Sequence, residues 1–158
     1  MNVQNSEILR KIMFYSCIIA FLAVYSTVVY AQQSEQVYET ISKSQIMSIM
    51  QGEGYAVSYD EREEILWKLE GNPTYIYFID DDQSIMFWAG VESDNTTLRN
   101  VNDWNMNARY SRAYIDEEGD PILELDLDLE GGVTRDRIVD FLITCRDSYN
   151  LWLDECIQ

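Results

Sequence analysis

The sequence predicts an α+β domain in which helices flank an antiparallel sheet, and three observations favour this class. Four short segments rich in β-branched and aromatic residues follow one another through polar turns, a pattern typical of an antiparallel meander. Three other segments carry apolar residues at helical spacing behind a capping residue. The 158 residues are 47% hydrophobic and 13% aromatic, a composition that suits one folded domain rather than a disordered chain.

The first predicted helix begins after Ser42, because Ser42 and Gln45 form a capping-box pattern. Gly52 and Gly54 end this helix, since glycine readily adopts the left-handed conformation of a C-terminal cap. Four strands should follow as a meander through short polar turns. The fourth is the most apolar and should be central in the sheet. These strands are predicted over residues 55–59, 65–70, 74–79 and 84–91.

A second helix is predicted to begin at Thr97, whose side chain suits an N-cap. Its expected buried stripe consists of Leu98, Val101, Trp104 and Ala108. Two more strands, 112–116 and 122–129, should form a hairpin around the acidic loop that follows residue 116.

The strand over residues 122–129 shows the clearest alternation in the chain. Its leucines should face the core, and its carboxylates should face solvent. A last helix, capped by Thr134, should bury a stripe of apolar residues, and the predicted element order is α-β-β-β-β-α-β-β-α. The leucines are Leu123, Leu125, Leu127 and Leu129, the carboxylates are Glu124, Asp126, Asp128 and Glu130, and the stripe is Ile138, Phe141, Leu142, Cys145, Tyr149 and Trp152.

The N-terminal residues have the pattern of an export segment. Arg10 and Lys11 precede an uncharged apolar run over residues 12–30. The run is followed by a small residue, Ala31, after which a signal peptidase could cleave. We predict a signal peptide over residues 1–31, with an uncleaved N-terminal anchor as the alternative. Both place the domain outside the cytoplasm, in the periplasm or as a secreted protein. Residues 32–41 are predicted to be a flexible lead-in to a domain over 42–158.

The charge balance excludes several classes of function. The chain has 28 acidic residues, 11 basic residues and no histidine, for a formal net charge of -17. Removal of residues 1–31 would take away two cations and one anion and leave -18. A nucleic-acid partner is not expected, because such a chain cannot form a basic patch. Histidine-based catalytic triads and imidazole metal sites are also excluded. We therefore predict no enzyme activity and no cofactor, with membrane contact only through an uncleaved anchor.

The acidic strand offers the leading candidate metal site. The sequence from Asp126 to Gly131 matches the start of an EF-hand loop, but Arg137 stands where that loop needs a bidentate glutamate. The favoured interpretation is a solvated carboxylate face. A weak calcium or metal site that uses Asp126 and Asp128 remains the alternative, and the same carboxylates could in principle serve as a general acid and base.

No disulfide is predicted between Cys145 and Cys156. Eleven residues of continuous helix separate two residues by about 16 Å, whereas a disulfide needs Cα atoms within about 7 Å. Cys145 is expected to be a buried thiol, and Cys156 is expected at a frayed helix end.

Most aromatic residues are expected in the core, and the four tryptophans are assigned to buried faces: Trp67, Trp88, Trp104 and Trp152. Tyr75 and Tyr77 share the other face of the third strand, where they could bind a peptide or a partner's helix. These two tyrosines are therefore predicted as partner-binding residues.

Four motifs follow one another in the second half of the chain. They are Asn102-Asp103-Trp104-Asn105, Arg109-Tyr110-Ser111-Arg112-Ala113-Tyr114, Gly119-Asp120-Pro121-Ile122-Leu123-Glu124-Leu125-Asp126-Leu127 and Gly131-Gly132-Val133-Thr134. Together they resemble the YbjN family of bacterial proteins. The resemblance covers about residues 42–153. It implies a fold similar to the type III secretion chaperones and a role as a sensory-transduction regulator, and it supplies no catalytic residues.

Arg109 and Arg112 lie within these motifs and are the less ordinary residues in them. They could pair with the carboxylates of the acidic strand or receive an acidic partner, so both are predicted as partner-binding residues. The sequence thus predicts an exported, non-enzymatic interaction module with a regulatory or chaperone-like role, an unknown protein partner and a homodimer as one form of assembly. The alternative is a calcium- or metal-responsive acidic envelope protein.

Overall fold

The computed structural model describes residues 37–157, which form three helices and eight strands. The predictions for residues 1–36 lie outside the described residues. The helices are α1 (Lys43–Gly52), α2 (Leu98–Asn107) and α3 (Arg135–Glu155). The strands are β1 (Val37–Tyr38), β2 (Val57–Tyr59), β3 (Ile65–Leu69), β4 (Asn72–Ile79), β5 (Ser84–Gly90), β6 (Arg112–Ile115), β7 (Pro121–Asp128) and β8 (Val133–Thr134).

Six strands form one antiparallel sheet in the order β2-β3-β4-β5-β7-β6. The four-strand meander is therefore confirmed, as are the α+β class and the predicted succession of its long elements. The β6–β7 hairpin joins the sheet through its second strand, so that β7 pairs with β5 and β6 forms the edge. The two remaining strands, β1 and β8, pair with each other in a separate two-stranded ladder.

The predicted caps define where the helices begin. Ser42 and Gln45 form a reciprocal capping box, in which the Ser42 amide donates to Gln45 Oε1 at 2.9 Å and the Gln45 amide donates to Ser42 Oγ at 3.3 Å. Thr97 and Asn100 form a second capping box at α2, and the Thr134 hydroxyl oxygen caps α3 by accepting from the Arg137 amide at 3.2 Å. These short-range bonds satisfy amides that would otherwise lack a helical partner.

All three helices contribute to one core that covers one face of the large sheet. Ile65, Ile76, Phe87 and Leu125 pair across four adjacent strands and form a continuous apolar row on that face. The entire predicted stripe of α3 is buried there, which confirms its helical spacing. In α2 only Val101 and Trp104 are buried. Leu98 is 74% exposed, against the prediction, because the first helical residue points away from the sheet.

The flexible lead-in predicted over 32–41 is wrong for its last five residues. Val37 and Tyr38 pair with Thr134 and Val133, and the side chains of Tyr38 and Ile41 are buried in the core. The Ile41 amide also donates to the Asp82 carbonyl at 3.1 Å. Burial of these two large side chains fixes the segment, although Val37, Glu39 and Thr40 are exposed.

The frayed end predicted for Cys156 is also wrong. Helix α3 runs unbroken to Glu155, and the Cys156 side chain that follows it is only 1% exposed. Cys145 is buried, as predicted, and neither thiol is in a disulfide. Burial raises the pKa of both thiols, so both are poor nucleophiles at neutral pH.

Among residues 37–157, no helix has the length and apolar composition needed to cross a bilayer.

Candidate functional site: the open face of the sheet

The second face of the large sheet is not covered by any helix within residues 37–157. Its side chains alternate with those of the core in every strand, and its aliphatic and aromatic residues lie outside the core cluster. We call this surface the open face. Its central residues are Leu66, Tyr75, Tyr77, Met86, Trp88, Arg112, Tyr114, Ile122, Glu124 and Asp126.

Three aromatic side chains form the centre of the open face. Tyr75 and Tyr77 stack at 5.7 Å between ring centroids with an angle of 12° between ring planes. Trp88, on the neighbouring strand, lies 6.0 Å from the Tyr75 ring and 6.4 Å from the Tyr77 ring. The Arg62 guanidinium stands over Tyr75 at 5.5 Å. Each ring is therefore half-buried by its neighbours, and the cluster is rigid before any partner binds.

The prediction that Trp88 lies in the core is wrong. Strand β5 places its side chain on the open face. The ring extends over Gly90, two residues along the same strand, and approaches Ile122 of β7. A Cβ atom at Gly90 would lie 2.7 Å from Trp88 Cη2 and 2.9 Å from Ile122 Cδ1. The missing side chain at Gly90 thus leaves the space in which the indole rests.

We expect Gly90→Ala to lower the free energy of unfolding by at least about 1 kcal/mol, because the added methyl group overpacks against Trp88 and Ile122. The near-ultraviolet circular dichroism of the tryptophans should change with it. Chemical denaturation measures the first effect. Gly52→Ala is the matched control, since its added Cβ would meet nothing closer than 3.7 Å at the end of α1. Equal stability of the two variants would contradict this packing.

Glu124 is buried, which corrects the prediction of a fully solvated carboxylate row. Its partners come from β6, the strand beside it. Arg112 Nε donates to Glu124 Oε2 at 2.6 Å, Arg112 Nη2 contacts the same oxygen, and the Tyr114 hydroxyl donates to Oε1 at 2.8 Å. The carboxylate is thus paired on both oxygens, which makes its burial tolerable.

The same contacts shift the partners' own titration. Hydrogen bonding to Glu124 raises the pKa of Arg112. Desolvation, followed by the hydrogen bond to Glu124, raises the pKa of the Tyr114 hydroxyl, and desolvation likewise raises the pKa of Tyr77. Both hydroxyls therefore stay protonated and able to donate across the neutral range.

Comparison with known proteins identifies the domain. The family model of YbjN, described as "Putative bacterial sensory transduction regulator", matches residues 42–158. The chain belongs to the YbjN family. No curated protein matches the chain.

Two solved structures are similar to this YbjN domain. The crystal structure of YbjN from E. coli, described as "a putative transcription regulator", is 12% identical, covers 72% of this chain and 88% of its own, and superposes with a TM-score of 0.61. The Yersinia pestis type III secretion chaperone SycH, in complex with a stable fragment of YscM2, is 13% identical. It covers 68% of this chain and 97% of its own, with a TM-score of 0.47. The similarity to YbjN of E. coli shows that the two chains share a fold.

The structure of the YbjN domain brings three of the four predicted partner-binding residues together. Tyr75, Tyr77 and Arg112 all lie on the open face, where Arg112 pairs with the acidic strand as one of its two predicted roles allowed. Arg109 lies apart from them, exposed in the loop between α2 and β6. Trp88 and Arg62 were missed. Trp88 is placed by the register of β5 against β4, and Arg62 by the turn between β2 and β3, neither of which the alternation of β4 provides.

The candidate metal residues are exposed on the same face as the aromatic cluster. Asp126 pairs with Met86, and Asp128 accepts a hydrogen bond from the Glu130 amide at 2.8 Å. Within the described part of the chain, no group of three or more acidic or cysteine side chains is placed to hold a metal ion. The metal site on Asp126 and Asp128 therefore stays a prediction with two carboxylate ligands.

Proposed function

We propose that this YbjN domain is an exported, non-enzymatic binding module that recognises a protein partner through its open face in the cell envelope. One observation carries the proposal. One face of the six-stranded sheet carries tyrosine, tryptophan, methionine and leucine side chains that no helix of residues 37–157 covers. These side chains are half-buried by one another, and a contiguous apolar surface that stays partly open to solvent is typical of an interaction site.

The composition of the open face favours a protein partner. Tyrosine, tryptophan, methionine and arginine are the residues enriched at the centre of protein interfaces. Because Tyr75, Tyr77 and Trp88 already hold one another in place, little side-chain entropy remains to be lost on binding. This arrangement supports direct docking onto the rings.

Charge supports a basic partner outside the cytoplasm. The whole chain carries a net charge of -17, and Asp126 adds an exposed carboxylate beside the aromatic cluster. A partner with basic groups around an apolar centre would be attracted over a distance and then desolvated on the rings. The apolar run at residues 12–30, with two basic residues before it, supports export. In the cell envelope, this domain would exert a regulatory role by binding another protein.

Site-specific photocrosslinking in intact cells tests the proposal. A photoreactive phenylalanine analogue replaces Tyr77 in one full-length variant and Tyr59 in another, since Tyr59 is an exposed tyrosine on the other side of the sheet. We expect the Tyr77 position to form one defined adduct with a basic exported protein. The adduct should disappear when Tyr75→Ser and Trp88→Ser are added. The Tyr59 position should form none.

Three outcomes would count against parts of the proposal. Equal adducts at the two positions, or none at either, would overturn the open face as the docking surface. An adduct between two copies of the chain would assign the face to a homodimer instead. Fractionation of the same cells checks export, and a chain found only in the cytoplasm would overturn the envelope location.

A further inference from the structure

The outer edge of β7 is only partly covered by a neighbouring strand. Strand β6 pairs with β7 over Pro121–Glu124 and stops there. On its other side β7 continues to pair with β5 as far as Asp128. Among the strands of residues 37–157, residues 125–128 therefore have a neighbour on one side only. Alternate residues of such an edge direct their backbone amides and carbonyls outward, where they can accept another strand.

The start of β6 explains why it leaves this edge open. The Asn105 side chain holds Ala113 at both backbone groups, with Asn105 Nδ2 donating to the Ala113 carbonyl and the Ala113 amide donating to Asn105 Oδ1, each at 2.9 Å. Trp104 Nε1 donates to Ser111 Oγ at 3.2 Å. These contacts tie Ser111 and the outer side of β6 to α2, and the pairing of β6 with β7 begins at Arg112.

Tyr110 turns the chain away from the edge in an unfavourable conformation. Its φ is 66°, in the left-handed region that bulky residues rarely adopt. Its ring is 77% exposed, so core packing does not account for the strain. A strained, exposed aromatic residue that glycine could replace is a candidate for a binding role.

A groove of about 440 Å³ lies beside the open part of the β7 edge. Its wall on the sheet side is formed by Leu125 and Asp126, with Tyr110 at one side and the first turns of α3 opposite. Phe141 of α3 and Leu125 form its apolar floor, and neither side chain is more than 3% exposed. Arg137, the nearest cation in the lining, is already bonded to Asp140 at 2.9 Å. The groove thus has a narrow apolar floor beneath a mainly polar lining, in which Asp126 and Asp140 are acidic.

We propose that an extended segment of the protein partner adds to residues 125–128 as a new edge strand, and that this segment alternates apolar and basic residues. Its backbone would pair with β7 in line with β6. Every second side chain would enter the groove against Leu125 and Phe141, and the others would lie opposite Asp126 and Asp128 on the open side. This inference rests on the proposed protein-binding function and names the chemistry of the partner.

The negative charges of Asp126 and Asp128 favour basic side chains at the partner positions that lie opposite them. Within residues 37–157, no group donates a hydrogen bond to the Asp126 side chain, and the Asp128 side chain accepts one only from the nearby Glu130 amide. A strand with acidic residues at these positions would place like charges directly opposite each other, which destabilises pairing. A lysine or arginine there gains from both carboxylates and from the negative field of the whole chain.

Binding of a synthetic strand to the purified full chain tests the inference. The probe is a blocked eight-residue peptide that alternates valine and lysine. Two controls have the same length: one replaces lysine with glutamate, and the other carries two central prolines that remove the backbone pairing. Affinity is measured at about 0.15 M salt, where surface charges more than about 8 Å apart are largely screened. Amide hydrogen exchange of the protein locates the bound peptide.

The valine–lysine peptide should slow exchange at outward amides within residues 125–128, and both control peptides should bind at least tenfold more weakly. Asp126→Lys should weaken binding at least tenfold and should favour the valine–glutamate peptide instead. Asp154→Lys, the same charge change at an exposed position late in α3, should change affinity less than twofold. Tyr110→Gly should keep or raise thermal stability because glycine tolerates the φ, yet it should weaken binding at least threefold.

The inference is overturned if the peptide leaves residues 125–128 unprotected, or if Asp126→Lys and Asp154→Lys bind it equally well. Failure here together with a specific adduct at Tyr77 would leave the open face as the docking surface. Protection of residues 125–128 without any adduct at Tyr77 would support the strand addition and count against the open face.

Discussion

Trp67→Ala is expected to lower the free energy of unfolding by about 3–5 kcal/mol, the usual cost of removing a large aromatic side chain from a core. Trp67 is almost fully buried between the sheet and the helices. Its ring lies 4.7 Å from that of Tyr55 and 6.1 Å, edge-on, from that of Phe87. The deletion would leave a cavity bordered by two rigid rings, which cannot collapse to fill it.

Urea denaturation of the purified protein, followed by far-ultraviolet circular dichroism, measures this loss. Lys68→Ala serves as the control, since Lys68 is the next residue in β3 and its side chain points to the opposite, exposed side. That substitution should stay within about 0.5 kcal/mol of the parent protein. A Trp67→Ala variant as stable as Lys68→Ala would show that Trp67 does not organise the core.

The second large effect is expected at Arg112. Its replacement by alanine should cost about 1–3 kcal/mol, because Glu124 would keep a buried charge with Tyr114 as its remaining hydrogen-bond partner among the described residues. The Arg112 side chain itself is 65% exposed, so water replaces part of the lost interaction. The loss arises mainly from the carboxylate left behind.

A double-mutant cycle separates these contributions. In the Glu124→Gln background, Arg112→Ala should cost clearly less than in the parent protein, because no buried charge is then left unpaired. Arg99→Ala is the control: Arg99 pairs with Asp103 at 3.7 Å on the surface of α2, and its loss should be nearly neutral. Equal costs of Arg112→Ala in both backgrounds would show that Glu124 is not stabilised by the pair.

Features that depend on short stretches of chain could be predicted from the sequence. The caps at Ser42, Thr97 and Thr134 follow from side chains within three residues of the amides that they accept from. The stripe of α3 follows from helical spacing alone. The meander follows from alternation and turn residues, because each of its strands pairs with its neighbour in the chain.

Features that depend on the register between distant strands could not be predicted from the sequence. Glu124 reads as one carboxylate of a solvated row until β6 is placed beside it with Arg112 directly opposite. Trp88 belongs to a strand that is apolar on both faces, so alternation cannot assign its side chain to the core or to the open face. The strands β1 and β8 have two residues each, too few for any periodic pattern.

The ladder between β1 and β8 also has a consequence for the order in which the domain is completed. Val37 pairs with Thr134, a residue 97 positions later in the chain. Because chains are synthesised from the N-terminus, the first strand emerges long before its partner exists. The strand that contains Tyr38 therefore stays unpaired until the β6–β7 hairpin and β8 have been synthesised. The first residues of the domain are therefore among the last to pair. A chain that ends before Val133 would lack both residues with which β1 pairs.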